Sequence, residues 1–200
     1  MPFFMTQGLG AFNDNIFKNA LAAVLVFEGS RLGGLNTDQV VNLSAMLFIL
    51  PFFLFSALFG QFADKYEKSM QIRRIKLFEV VIMALATLGF WSDSVPLLLF
   101  VLFLLGLQST IFGPIKYGIL PQILKPQELV GGNALVEMGT FVAILAGTIA
   151  GPQLAGIDVS WPYWVGAAGL AVAVTGYLFS LRIPRADPVA PDLDINWNIF

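Results

Sequence analysis

Residues 39–63 read QVVNLSAMLFILPFFLFSALFGQFA, and no charged side chain interrupts them between Asp38 and Asp64. A helix needs about 20 mainly apolar residues to cross the hydrocarbon core of a bilayer, which is about 30 Å thick. This stretch is long enough to do so, and it is too apolar for the surface of a water-soluble domain. It therefore predicts a membrane-spanning helix.

The composition of the whole chain indicates a membrane protein. Of its 200 residues, 57% are apolar and only 12% are charged, with a mean hydropathy of +0.78, whereas soluble domains carry about 25% charge. The net charge of −2 provides no basic field for nucleic acid. The absence of Cys and His removes disulfides, thiol nucleophiles, imidazole bases and the usual zinc ligands. We therefore predict no catalytic residue, no metal site and no cofactor.

Charged residues divide the chain into pieces of similar length, and each piece holds one predicted span. We expect an all-α membrane protein with a six-helix bundle in residues 1–181. Residues 182–200 contain three prolines and predict a cytoplasmic linker. Because the chain stops on a linker, we expect a truncated protein with a second half; the alternative is a six-helix protein that dimerises. The predicted spans cover residues 3–27, 41–62, 75–92, 96–115, 133–154 and 161–181.

Positive charges concentrate on one side of the predicted bundle. Nine of the eleven Lys and Arg residues follow the second, fourth and sixth spans or open the third. By the positive-inside rule, this side is cytoplasmic, together with the N-terminus and residue 200. The nine residues are Lys65, Lys68, Arg73, Arg74, Lys76, Lys116, Lys125, Arg182 and Arg185.

The first predicted span has a polar centre. Asp14 is expected near the bilayer midplane, where a charge costs at least about 2.5–3.5 kcal/mol and normally faces a bundle interior or a wet cavity. The spacing of Gln7, Ala11, Asp14 and Lys18 places them on one helix face. We interpret this face as a polar substrate contact; the alternative is that Asp14 and Lys18 form only an ion pair inside the bundle. Further amide groups lie beside them, on Asn13, Asn15 and Asn19.

The segment after the second span contains Gly60 and Asp64 followed by Lys65. This pattern resembles the Gly-x-x-x-Asp motif, followed by Arg or Lys, of major facilitator transporters. We expect Gly60 to permit close helix approach. Lys116 is expected to pair with either Asp64 or Glu137, and the N-terminus of the fifth span is expected to stabilise the Glu137 carboxylate.

The fifth span carries small residues at four-residue steps, and such a stripe lets two membrane helices approach closely. Gly147, Gly151 and Pro152 resemble the Gly-x-x-x-Gly-Pro motif of the same superfamily. We expect this face to contact another helix and not the substrate.

A weak repeat relates the first and fourth spans. Gly8 precedes Lys18 by the same spacing as Gly106 precedes Lys116. Transporters of this superfamily nest 3+3 inverted repeats within each six-helix half, so the spacing favours that architecture.

Four segments resemble the bacterial lysophospholipid transporter family, a branch of the major facilitator superfamily. The resemblance covers residues 3–181 and implies the N-terminal half of a twelve-helix transporter. Such a protein moves lysophospholipids, for example lysophosphatidylethanolamine, from the outer to the inner leaflet of the bacterial inner membrane for reacylation. The four segments are QGLGAFNDN at 7–15, GQFAD at 60–64, PIKYGIL at 114–120, and LVGGNALVE at 129–137 continuing into AILAG at 143–147.

The resemblance also implies roles and partners. The intramembrane carboxylate and its neighbouring amide would be Asp14 and Asn15. From the chemistry of the side chains themselves, our hypothesis is that Asp14 attracts the headgroup ammonium and that Lys18 with Asn15 holds the phosphate. Partners would be the lysophospholipid, membrane lipids, a C-terminal six-helix half, and a fused or separate acyltransferase or acyl-ACP synthetase. The alternative functions are a proton-coupled drug or small-molecule antiporter, and a non-transporting membrane module of a fused acyltransferase.

Overall fold

The computed structural model describes residues 1–27, 36–156 and 163–197. Within these residues the regular structure is entirely helical, which confirms the predicted all-α class. Residues 161–162 of the predicted sixth span and residues 198–200 of the predicted linker lie outside the described part. The helices are α1 (Pro2–Phe27), α2 (Thr37–Lys65), α3 (Lys68–Trp91), α4 (Val95–Gly118), α5 (Leu120–Ile123), a 3-10 turn (Pro126–Glu128), α6 (Leu129–Gly156) and α7 (Tyr163–Ser180).

Among the described residues, four helices are long and apolar enough to cross a membrane. They are α2, α4, α6 and α7. The other two long helices, α1 with 26 residues and α3 with 24, have sufficient length but carry more polar side chains. Those of α1 lie in its middle, and those of α3 lie in its N-terminal half. That α1 and α3 also cross the membrane, which would make six spans, therefore stays a prediction.

Local hydrogen bonds explain where α2 and α3 begin. The Asn36 side chain accepts from the Gln39 N–H at 2.9 Å, while the Gln39 side chain accepts from the Asn36 N–H at 3.0 Å, so each satisfies an otherwise unpaired donor. Glu67 accepts from the N–H groups of Ser69 and Met70, both at 2.9 Å. Its partial burial acts to raise the pKa, but these hydrogen bonds outweigh it and hold the pKa of Glu67 below its ordinary value.

The helices pack with an internal symmetry. α1 lies mainly against α6 and α7, α4 lies mainly against α2 and α3, and α3 also contacts α7. Exchanging α1 with α4, α2 with α6 and α3 with α7 converts these main contacts into one another. This is the pattern expected of a 3+3 repeat.

Glycines permit the closest of these contacts. A Cβ at Gly147 would lie 2.6 Å from the Phe12 carbonyl oxygen of α1. In the symmetry-related pair, a Cβ at Gly106 of α4 would overlap the Phe48 carbonyl of α2. Both helix pairs thus approach through their backbones, as the small-residue stripe predicts for α6.

Two apolar cores lie at different heights and leave a polar layer between them. One core includes Ile16, Ile82 and Leu105, and the other includes Ile75 and Ile115. Along α1, α3 and α4, a group of buried or half-buried polar residues falls between the two cores. They are Gln7, Asn13, Asp14 and Asn15 on α1, Lys76 and Glu79 on α3, and Gln108, Ser109 and Thr110 on α4.

Residues 183–197, here called the C-terminal segment, lie against the ends of α2 and α3. Ala186 is buried; its carbonyl accepts from the Lys68 N–H, and its own N–H donates to the Glu67 carboxylate, both at 2.9 Å. The Lys65 ammonium donates to the Leu193 carbonyl at 2.8 Å. The predicted linker is therefore bound to the helix ends by its backbone.

Candidate functional site

A cavity of about 430 Å³ lies in the polar layer between α1, α2, α3, α4 and α6, and is here called the central cavity. It combines three lysines and one carboxylate with aromatic side chains. It is lined by Gln7, Gly10, Ala11, Asp14, Asn15, Lys18, Phe48, Phe52, Lys76, Gln108, Ser109, Phe112, Gly113, Lys116, Tyr117, Thr140 and Ile144.

Asp14 contributes a carboxylate to the cavity, and among the described residues only one of its two oxygens accepts a hydrogen bond. Its Oδ2 accepts from the Ser109 hydroxyl at 2.5 Å. Its Oδ1 is buried and has no hydrogen-bond partner in the part of the chain that the structure describes. A buried polar atom without a partner is costly, so this oxygen is available to a bound donor.

Lys18 contacts an aromatic ring. Its Nζ lies 5.3 Å from the centre of the Phe48 ring, which is within the range of a cation–π contact. Within residues 1–27, 36–156 and 163–197, no carboxylate lies within ion-pair distance of Lys18. Asp14 and Lys18 therefore do not form a direct ion pair in the described residues, and Asp14 instead accepts a hydrogen bond from Ser109 on α4.

Lys76 has a neutralising partner behind the cavity wall. Its Nζ lies 2.6 Å from Glu79 Oε2, and both side chains are 1% exposed. Glu79 also accepts from Asn13 Nδ2 at 3.0 Å and from Gln108 Nε2 at 3.1 Å. This network joins α1, α3 and α4, and it satisfies a buried ion pair that would otherwise be destabilising.

Lys116 has a carboxylate partner on α6. Its Nζ lies 3.1 Å from Glu137 Oε1 and donates to the Thr140 hydroxyl at 2.8 Å. Of the two predicted partners, Glu137 is the one that Lys116 contacts. The Tyr117 hydroxyl donates to the same carboxylate at 2.8 Å. Because α6 begins at Leu129, Glu137 lies two turns inside the helix, and the predicted stabilisation by the helix N-terminus is wrong.

The two amide side chains predicted to contact substrate lie on different faces of α1. Asn15 lines the central cavity, and its Nδ2 donates to the Ala11 carbonyl at 2.8 Å. Asn13 is fully buried and does not line the cavity, because it hydrogen-bonds to Glu79. Adjacent residues on a helix differ by about 100° in direction, so Asn13 faces α3 while Asp14 faces the cavity. The prediction of Asn13 as a substrate contact is corrected accordingly.

The motif residues lie outside the central cavity. A Cβ at Gly60 would meet nothing within 4 Å, so no described helix makes the predicted close approach there. The Asp64 carbonyl accepts from the N–H groups of Val189 and Ala190, both at 3.0 Å. A Cβ at Gly151 would lie 2.5 Å from the Ile16 carbonyl, so this glycine serves packing against α1. Pro152 follows it on α6 and is exposed.

Several cavity residues were not singled out from the sequence. Gln108 and Ser109 form a polar pair in the middle of the fourth apolar span, and that position was an available signal. Lys76 was assigned to the cytoplasmic basic cluster, and the sequence favoured a local dipole or ion-pair role for Glu79, three residues later; the two side chains do form an ion pair, at 2.6 Å, but the position of Lys76 in the cavity wall was not predicted. Thr140 carried no comparable signal because a hydroxyl in a membrane helix often bonds its own backbone.

The sequence matches the Major Facilitator Superfamily over residues 3–195. The chain belongs to the major facilitator superfamily. The six-helix bundle and its internal symmetry are consistent with one half of a superfamily transporter, and the chain is a multi-pass membrane protein.

Curated relatives within the superfamily share a name. The lysophospholipid transporter LplT of Enterobacter sp. (strain 638) is 31% identical over 188 residues, which is 94% of this chain and 44% of the relative. LplT of Serratia proteamaculans (strain 568) is 31% identical over 91% of this chain and 43% of the relative. LplT of Escherichia coli (strain K12 / DH10B) is 28% identical over 98% of this chain and 45% of the relative. The chain thus spans less than half the length of these relatives.

Proposed function

We propose that this chain forms the N-terminal half of a lysophospholipid transporter in the bacterial inner membrane. Relatives named as lysophospholipid transporters support the substrate class. The transporter would move lysophospholipids from the outer to the inner leaflet, where a fused or separate acyltransferase or acyl-ACP synthetase would take part in restoring the missing chain. The 200 residues themselves would carry no catalytic step.

Two unpaired opposite charges in one cavity carry this proposal. Lys76 and Lys116 each have a carboxylate partner within 3.1 Å. Within the described ranges, Lys18 has none, and Asp14 Oδ1 accepts no hydrogen bond. A zwitterionic headgroup would supply both missing partners, because its ammonium suits Asp14 and its phosphate suits Lys18. Asn15 retains one amide hydrogen beyond its bond to Ala11 and would assist at the phosphate.

The rest of the wall suits the glycerol and acyl parts of the same molecule. Phe48, Phe52 and Phe112 line the cavity beside the charged groups. A single acyl chain would lie against these rings while the headgroup stays in the polar layer. Rocking of this half against the second half would then expose the cavity to each leaflet in turn.

The test is lysolipid flipping by the full-length protein in reconstituted vesicles, followed with a fluorescent lysophosphatidylethanolamine. Replacing Asp14 by Asn removes the charge and keeps the shape. Loss of one charge-assisted contact corresponds to a decrease of about tenfold or more in the initial rate. Lys18→Gln is expected to act in the same direction, and Lys18→Arg is expected to retain most of the rate.

Asp192→Asn is the matched control, because it makes the same chemical change on the exposed C-terminal segment. Each variant is compared for thermal unfolding so that loss of folding is recognised. Undiminished flipping by Asp14→Asn contradicts the proposal. Transport that follows the pH gradient and ignores lysolipid would instead indicate an antiporter.

A further inference from the structure

A second cavity, of about 610 Å³, lies at the C-terminal end of α2 and the N-terminal end of α3, on the side that the cations predict to be cytoplasmic. It is here called the lower cavity. It falls within the range of about 300–1,000 Å³ typical of small-molecule sites. It is lined by Phe62, Lys65, Tyr66, Glu67, Met70, Gln71, Arg74, Ile75, Ile111 and Pro188.

The free charge of the lower cavity is positive. Glu67 is its one acidic lining residue, and three backbone N–H groups already donate to that carboxylate, from Ser69, Met70 and Ala186. Arg74 is exposed at the rim. Lys65 donates to the Leu193 carbonyl at 2.8 Å, and its ammonium has two further hydrogens to give. Two cations beside an apolar wall fit an anionic group attached to a hydrocarbon chain.

An aromatic stripe on α2 runs from the central cavity towards the lower cavity. Its members alternate four and three residues apart, so they share one helix face. The ring centres of Phe48 and Phe52 are 6.0 Å apart, those of Phe55 and Phe59 are 6.1 Å apart, and those of Phe59 and Phe62 are 6.1 Å apart. The stripe consists of Phe48, Phe52, Phe55, Phe59 and Phe62 on α2, and Tyr66, which directly follows the helix and whose ring centre lies 5.8 Å from that of Phe62.

The two ends of this stripe line the two cavities. Phe48 and Phe52 contribute to the central cavity, and Phe62 and Tyr66 contribute to the lower one. The stripe therefore places aromatic rings along one helix face between two positively charged sites. An acyl chain that leaves the first site has apolar surface along that face until it reaches the second.

We propose that the lower cavity is a release site for the transported lysophospholipid at the inner leaflet. Its phosphate binds between Lys65 and Arg74, and its single acyl chain packs against Phe62, Ile75 and Ile111. This inference rests on the proposed function, because it assigns a second site to the same substrate. A resident two-chain phospholipid in this cavity is the competing occupant.

The experiment uses the full-length protein in vesicles with a lysophosphatidylethanolamine that bears a photoreactive diazirine on its acyl chain. Mass spectrometry then locates the adducts. We expect adducts in the lower cavity, at Phe62, Met70 or Ile75, and separately in the central cavity at Phe112. Arg74→Gln should reduce lower-cavity adducts about tenfold, the ratio set by one charge-assisted contact, and leave Phe112 adducts unchanged.

Two comparison variants separate charge from folding. Arg74→Lys should restore most of the lower-cavity adducts, because the cation returns. Arg185→Gln removes another cytoplasmic cation, exposed and outside both cavities, and should leave both sets of adducts unchanged.

Three results overturn the release site. They are absence of lower-cavity adducts while Phe112 is labelled, unchanged labelling in Arg74→Gln, and equal labelling by a diazirine phospholipid with two acyl chains. Absence of adducts in both cavities would contradict the proposed function as well, so the two failures are distinguishable.

Discussion

Charged residues around the central cavity fall into two groups. Lys76 and Lys116 form ion pairs with Glu79 and Glu137, and both lysines line the central cavity. Asp14 and Lys18 lack such partners among the described residues, and the proposed function assigns them to the lysolipid headgroup. The sequence predicted both residues of the second group from their depth in an apolar span. It did not predict Ser109 as the partner of Asp14, because helix spacing gives a residue's own face and not the neighbour opposite.

Gly10 tests whether the wall of the central cavity needs a residue without a Cβ beside Lys76. A Cβ at this position would overlap the Lys76 ammonium. The flexible Lys76 side chain can move, but only by leaving its buried partner Glu79. Gly10→Ala should therefore lower the free energy of unfolding by about 1–3 kcal/mol, the usual cost of a buried polar group that loses its partner. Thermal unfolding in detergent measures the effect. Gly8→Ala is the control, since a Cβ there meets nothing within 4 Å. Equal stability of the two variants would show that Gly10 is not needed to accommodate Lys76.

Helix contacts were partly predictable from spacing. The four-residue stripe in the fifth span predicted a close approach, and Gly147 and Gly151 make it against α1. Neither the partner helix nor the start of α6 at Leu129 followed from the pattern. The span was expected from residue 133, because apolarity marks the membrane-crossing part of a helix and not its extension beyond the membrane.

The contact between α6 and α1 can be tested at Gly151. A Cβ there would lie 2.5 Å from the Ile16 carbonyl and 3.0 Å from the Ala20 nitrogen, and backbone atoms cannot move aside as a flexible side chain can. Gly151→Ala should destabilise the protein by about 1–3 kcal/mol. Gly156→Ala, on the same helix with nothing within 4 Å, should be close to neutral. A neutral Gly151→Ala, measured by thermal or denaturant unfolding, would rule out a tight α1–α6 contact.

At the scale of the whole molecule, the exchange symmetry of the bundle accounts for the position of the central cavity. Lys18 of α1 and Lys116 of α4, which have equal spacing from Gly8 and Gly106, both line it. Apolar side chains remain exposed on the symmetry-related helices α2 and α6, and these faces suit lipid or a second half. They include Ile49 and Phe53 on α2 and Phe141 and Leu145 on α6.

The predicted orientation of the bundle rests on the distribution of its cations and is testable. Lys125 and Ser92 are both exposed and lie at opposite predicted surfaces. Because these 200 residues contain no Cys, Lys125→Cys and Ser92→Cys each introduce one thiol in this part of the protein. A membrane-impermeant maleimide should modify Ser92→Cys in spheroplasts and Lys125→Cys in inverted vesicles. The reverse pattern would contradict a cytoplasmic N-terminus.

Occupancy of the central cavity by a lysophospholipid headgroup is tested most directly by thiol protection. Ala11 lines the cavity between Gln7 and Asp14, so Ala11→Cys in the full-length protein reports on its wall. Lysophosphatidylethanolamine should slow modification of this thiol by a small methanethiosulfonate in a saturable manner, while two-chain phosphatidylethanolamine should not. Lys125→Cys, outside the cavity, should react at an unchanged rate. Equal modification of Ala11→Cys with and without lysolipid would contradict a headgroup site at Asp14 and Lys18.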